Sequence, residues 1–375
     1  MAEIDDTLPN ETITDEAFVE QEVTVPNEEM EESSEGVEVT MDEEGGAQID
    51  FDPKAEGLES QDHFSNLAEI MEDKYLGELG STLFDQYTEY KESRADWENT
   101  YREGLELLGF KYERRTEPFR GASGVNHPVL AEAVTQFQAQ AYKELLPADG
   151  PVRAQILGDI SNEKQDQANR VKDFMNYQIM DQMPEYEPEF DQMLFYLPLS
   201  GSTFKKIYYD DLLGRAVSKF VPADDLIVPY SANSLEDAEA IVHVIRMSEN
   251  EIRKQQVSGF YKDVEVGNPP VTSNELKDTE LKLEGITKNS NQDQFNLLEM
   301  HVDLDLEGFE DVGQDGEPTG IKLPYIVTIL ESTNEILSIR RNYTEDDPLK
   351  EKIKYFVQFK FLPGTGFYGF GLIHM

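Results

Sequence analysis

The apolar residues of this chain change their period near residue 200, and that change limits what it can fold into. Upstream, they recur at helical spacing. Leu83, Tyr87, Tyr90, Trp97, Tyr101, Leu105 and Leu108 predict a helix over 83–110, closed by Gly109. A second helix is predicted over 128–146, with Pro128 in its first turn and the Pro147–Pro151 stretch as its stop. A third opens at Ser161, a good N-cap, and runs to Met183, with Val171, Phe174, Met175, Ile179 and Met183 on one face. Pro184 and Pro188 are expected to break the chain before a short fourth helix over 190–197.

Downstream the period is two. Strands are predicted over 203–209 and 215–221, joined by a turn at Asp210–Gly214, and over 241–247. Ser248 and Glu251 match a capping box opening a short helix to Gln256. A weak helix over 276–283 lies in an otherwise polar stretch. Further strands are predicted over 297–306, 325–330, 336–340 and 354–361, with Thr333-Asn334 as a hairpin turn. The fold class is α+β: a helical N-terminal half followed by antiparallel β hairpins, without βαβ alternation.

Charge adds a second constraint. The 375 residues carry 77 acidic and 32 basic side chains, a net charge of -45. Such a chain repels a polymer with one negative charge about every 1.7 Å of axis, so tight wrapping of nucleic acid is excluded, as is docking on anionic lipid. Residues 1–57 hold 20 acids and one base, Lys54, with few apolar residues among them. That segment is expected to be a disordered acidic tail, either a solvated tail or a docking tail for a basic partner. The body, with 38% apolar and 10% aromatic residues in the chain as a whole, can form a core. Cysteine is absent, which removes disulfides, thiolate metal sites and thiol nucleophiles. The first residues lack the basic and apolar regions of a signal peptide, and no run approaches the roughly 20 apolar residues of a membrane span, so a soluble intracellular product is expected.

Motifs for catalysis are lacking. His63, His127, His243, His301 and His374 are scattered, and none shares the i, i+4 spacing of a helical metal site. Asp303-x-Asp305-x-Glu307-Gly308 resembles the start of a calcium loop, but the twelfth position is Gln314, and Leu304 and Leu306 fit a strand better. Gly364-Thr365-Gly366-Phe367-Tyr368-Gly369 matches G-x-G-x-x-G after a strand, yet bulky Phe367 and Tyr368 stand where a cofactor would approach. The acidic pairs Asp224-Asp225 and Asp346-Asp347 are read as turn and solvated-face acids. No catalytic, cofactor-binding or metal-binding residue is therefore assigned. The one basic stretch, Lys111, Arg114, Arg115 and Arg120, is the best candidate for a phosphate or acidic-partner contact, with a solvated loop or inter-subunit ion pairs as the plainer reading.

Four stretches taken in order carry a resemblance: 118–128 (PFRGASGVNHP), 199–209 (LSGSTFKKIYY), 220–230 (FVPADDLIVPY) and 362–372 (LPGTGFYGFGL). Together they resemble portal proteins of tailed bacteriophages, in the broad group found in podovirus-type and marine phages, over roughly residues 80–375. The resemblance implies a non-enzymatic virion protein without cofactor: a homo-oligomeric ring, usually a dodecamer, at one capsid vertex, the head-tail connector through which the viral genome is packaged and ejected. It implies the terminase large subunit, the major capsid and scaffolding proteins and tail adaptor proteins as partners. DNA passes through the channel without sequence-specific binding, and no membrane is involved. The location implied is the portal vertex of the virion, and the host cytoplasm during assembly. On this basis residues 58–294 are expected to form a wing-like α+β domain, 295–345 a clip/stem-like β-rich region, and 346–375 a strand and Gly-rich turn leading into a channel helix. Because the chain ends within an apolar run, Phe370–Met375, it is expected to be a C-terminally truncated copy. The alternative from another class is an acidic, non-enzymatic interaction protein, a DNA mimic or assembly chaperone that binds basic partners.

Overall fold

The computed structural model describes residues 38–41, 47–50, 63–108, 119, 127–158, 161–210, 213–267, 269, 275–286, 294–313, 317–364 and 366–375. The chain divides into two compact units, Met1–Asp62 and His63–Met375. In the first, strands β1 (Glu38–Met41) and β2 (Ala47–Asp50) pair antiparallel, with β-branched Val39 and Ile49 as register partners. These eight residues fall within the acidic tail expected over 1–57. The rest of that tail lies outside the described residues.

The second unit is mixed α+β, and its sheets are antiparallel. Helices α1 (Asp73–Ser93), α2 (Ala95–Leu108), α3 (Val129–Leu145), α4 (Asn162–Tyr177) and α5 (Tyr186–Ser200) come first. After residue 200 come β3 (Ser202–Asp210), β4 (Arg215–Pro222), β5 (Leu226–Ile227), β6 (Ala240–Met247), helix α6 (Glu249–Val257) and helix α7 (Glu275–Glu284). Strands β7 (Phe295–Leu304), β8 (Leu323–Leu330), β9 (Glu335–Arg341) and β10 (Phe356–Lys360) complete it. One sheet has the order β10-β3-β4, the other β5-β6-β7-β8-β9.

The layers follow from alternation. Even-numbered residues of β6 and β7, such as Val242, Val244, Leu298 and Met300, face the α1 stripe Leu76, Leu83 and Tyr87. On the opposite face, Ile241 packs with Phe204 and Phe356 of the three-stranded sheet. Lys205 and Phe220, on that sheet's far side, lie against α5. Helix α6 covers the far end of the five-stranded sheet through Ile252, with Phe295, Leu297 and Leu330. The β9 edge is closed by Asn66, whose amide donates to the Leu337 carbonyl and accepts from the Ile339 N–H.

Four expectations change. The helix predicted over 83–110 begins at Asp73 and is broken at Arg94, which leaves helical geometry at φ -105°, ψ 9°. The fourth helix starts at Tyr186 and admits Pro188 within its first turn, where a missing N–H breaks no intrahelical bond. The third ends at Tyr177 and passes into a π turn over Gln178–Gln182. The boundary expected at 294/295 does not separate folded parts, because β6 and β7 are neighbours in one sheet and β10 pairs with β3. Long-range pairing overrides the change in local composition there.

Candidate functional site

Three of the four stretches that carry the family resemblance meet at one point. Helix α5 ends at Gly201, whose φ of 80° is the left-handed conformation favoured at a helix C-cap. The Gly-rich segment after β10 folds back over this corner. Gly369 N–H donates to Ser202 Oγ at 2.7 Å, and Phe361 N–H donates to the Gly201 carbonyl at 3.0 Å. The approach is too close for side chains. A Cβ on Gly369 would lie 2.5 Å from the Gly201 oxygen, and one on Gly371 would lie 2.0 Å from the Leu199 oxygen. Gly369 of the G-x-G-x-x-G match and Gly371 just beyond it thus serve backbone packing, Gly366 has open space around it, and Gly369 opens no helix. A dinucleotide cradle needs that helix N-terminus.

Arg94 ties the third stretch to this corner. Its guanidinium donates to the carbonyls of Ala223 (2.9 Å), Asp224 (2.6 Å) and Leu226 (2.9 Å), to Tyr368 Oη (3.0 Å) and to Glu98 (2.8 Å). Tyr368 also donates to the Leu226 carbonyl. Trp97 stacks on Tyr368 with ring centroids 4.8 Å apart. The break between α1 and α2 is what delivers Arg94 to this position. The sequence reading missed it because no proline or glycine marks the break.

The acidic pair Asp224-Asp225 is not a solvated turn: both residues are buried. Asp225 makes a two-pronged ion pair with Arg246 at 2.5 and 2.8 Å. Asp224 has Lys277 of α7 at 3.5 Å, and Lys277 in turn holds Glu280 at 2.8 Å. Burial, with the neighbouring Asp225 charge, pushes the Asp224 carboxyl up to about 7, against the pull of Lys277. Asp347, by contrast, caps a turn as expected, accepting from the N–H groups of Leu349 and Glu351.

A second charged group joins the two sheets. Register places His243 opposite Glu299 and Ile241 opposite His301. Glu299 therefore meets Lys206 of β3 at 2.5 Å, His301 Nε2 at 3.0 Å and His243 Nδ1 at 3.8 Å. Burial alone would raise the Glu299 carboxyl, but Lys206 and the two imidazoles hold it well below the usual carboxylate range. Burial lowers His301. Next to this group lies a cleft of about 410 Å³, lined in part by His301, Asp303, Asn342, Lys352 and Tyr355. Its lysines already have partners: Lys352 donates to the Ala238 carbonyl and Lys354 pairs with Glu236. On the other side of the three-stranded sheet, Lys205 sits 3.8 Å from the centre of the Tyr186 ring, and burial lowers its amine to about 8.

Among the described residues, no set of three or more histidine and acidic side chains is arranged to hold a metal ion, and no helix is long and apolar enough to cross a membrane. Asp303 ends in β7 opposite Pro324, and Leu306 is fully buried, which is strand and core geometry. His63 bonds to the Tyr343 carbonyl, His374 accepts from Gly371 N–H, and His127 is exposed. The basic stretch Lys111, Arg114, Arg115 and Arg120 lies outside the described residues. No family model matches the chain, and no curated protein matches it.

Proposed function

We propose that this chain is a subunit of a phage portal, the ring-shaped head-tail connector at one vertex of the capsid. The observation that carries this reading is the convergence at Gly201, Arg94 and Tyr368. Stretches 199–209, 220–230 and 362–372, up to about 170 residues apart in sequence, form a single packed corner. A shared corner gives these glycines and aromatics one structural reason to occur together, which independent coincidences would lack. The resemblance is therefore read as one fold signature. In this reading the chain acts by assembly rather than by catalysis. The terminase large subunit, capsid and scaffolding proteins and tail adaptors are its partners, and DNA passes without sequence-specific contacts. The acidic surface suits a conduit, since each fixed phosphate contact would add salt-dependent grip that opposes sliding.

The net charge of -45 favours a second reading, an acidic interaction protein for basic partners. Light scattering on a size-exclusion column separates the two. A portal subunit elutes as an assembly of many 42.8 kDa chains. The acidic binder elutes as a single chain and shifts only when a basic partner is added.

A further inference from the structure

Helix α4 is amphipathic, but among the described residues none buries its apolar stripe. Val171, Phe174 and Met175 share a face at i, i+3 and i+4, and they are 49%, 57% and 42% exposed. No residue of this helix is buried. An apolar stripe of this kind elsewhere in the chain is used: the α1 stripe lies on the five-stranded sheet. An amphipathic helix with its apolar face in water marks an interaction surface.

The helix is also built to stay in place. Ser161 caps its N-terminus by accepting from Lys164 N–H. At the other end Asn176 accepts from Val152 N–H at 2.9 Å and donates to the Val152 carbonyl at 3.2 Å, tying the last turn to the loop after α3. The π turn over Gln178–Gln182 follows at once, with Met183 N–H reaching the Gln178 carbonyl. Such turns recur at functional positions. The stripe is thus presented on an anchored helix.

Charge selects the occupant. Helices α1, α2 and α5 each carry a net charge of -3, whereas α4 carries Glu163, Asp166 and Asp173 against Lys164, Arg170 and Lys172, a net charge of zero. A basic partner would be drawn to the acidic helices instead. A second copy of this chain, itself at -45, is repelled wherever acidic surfaces face each other, and can approach where the local charge is balanced and apolar area is free to bury.

We infer that the α4 stripe is a contact between copies of this chain, with Phe174 as its central anchor. This rests on the portal reading, in which copies join side by side. A closed ring needs a heterologous contact, so the α4 stripe of one copy meets a different face of the next.

The test compares the full chain with a Phe174→Gln, Met175→Gln variant by sedimentation velocity over a range of concentrations. Both substitutions are at exposed positions and keep the net charge. The expected result is that the wild-type chain assembles and the variant needs about tenfold or more protein to do so, as for loss of an interface anchor. Wild-type and variant chains assembling alike would overturn the α4 contact and leave the portal reading standing. A wild-type chain that stays single at every concentration would overturn both. A single-chain protein that binds poly-lysine only when Phe174 is intact would do the same in favour of a foreign basic partner. Should the double variant misfold, the absence of cysteine allows another measurement. A polarity-sensitive dye on Met175→Cys should move to an apolar environment as the chains assemble. A dye that stays in water within the assembly would overturn the inference.

Discussion

Arg94 directs its guanidinium at three carbonyls, a phenol and a carboxylate, and this one residue links α1 and α2 to the 223–226 turn and to Tyr368. A lysine cannot reproduce that planar fork. Arg94→Lys is expected to lose about 3 kcal/mol of stability, since it leaves buried carbonyls without donors, and urea unfolding would measure the loss. Asp224 gives a pH signature. Its carboxyl is raised to about 7 in the fold by burial and by Asp225. Between about pH 4 and pH 7 the folded state holds a proton that the unfolded chain has released, so this group's contribution is full below pH 4 and declines as pH rises to 7. Asp224→Asn removes that slope. Wild-type stability relative to Asp224→Asn should therefore fall by on the order of 2–4 kcal/mol from pH 4 to pH 7, measured by unfolding at each pH. An unchanged difference would mean that Asp224 titrates like an exposed carboxylate. Neither role could be read from the residues alone. Asp-Asp after a proline is common in turns, and only the packed helices show that this pair is buried.

Elements were legible where local chemistry decides them. The capping box at Ser248 and Glu251 is present with both hydrogen bonds, and the turns at Gly214 and Asn334 have the positive φ of 62° and 61° that such residues tolerate. The strands after residue 200 lie within a few residues of their expected bounds for the same reason. What escaped was non-local. The break at Arg94 serves contacts more than 120 residues away, and His243, Glu299 and His301 become a cluster only through β6–β7 register. The G-x-G-x-x-G match shows the difference between pattern and element. Gly201→Ala puts a Cβ 2.4 Å from the Gly369 oxygen at a φ of 80°, whereas Gly366 has open space around it. Gly201→Ala should destabilise by roughly 2 kcal/mol or more, while Gly366→Ala should change stability by less than about 1 kcal/mol, as thermal unfolding would show. Equal effects would contradict the packing role assigned to this corner.

At the scale of the whole molecule the charge governs assembly. A net charge of -45 makes copies repel, while the α4 stripe and the packed two-sheet body give them a surface on which to meet. Screening should shift that balance. Association is expected to strengthen as salt rises from about 0.01 M to 0.15 M, where the Debye length shrinks from ~30 Å to ~8 Å, and light scattering across that range would follow it. Binding of a basic partner would weaken over the same range, so the direction of the salt effect itself distinguishes the two readings. The most direct measurement is negative-stain electron microscopy of the purified chain near physiological salt. The portal reading requires closed rings with a central hole. A field of single small particles, unchanged by concentration or salt, would contradict it.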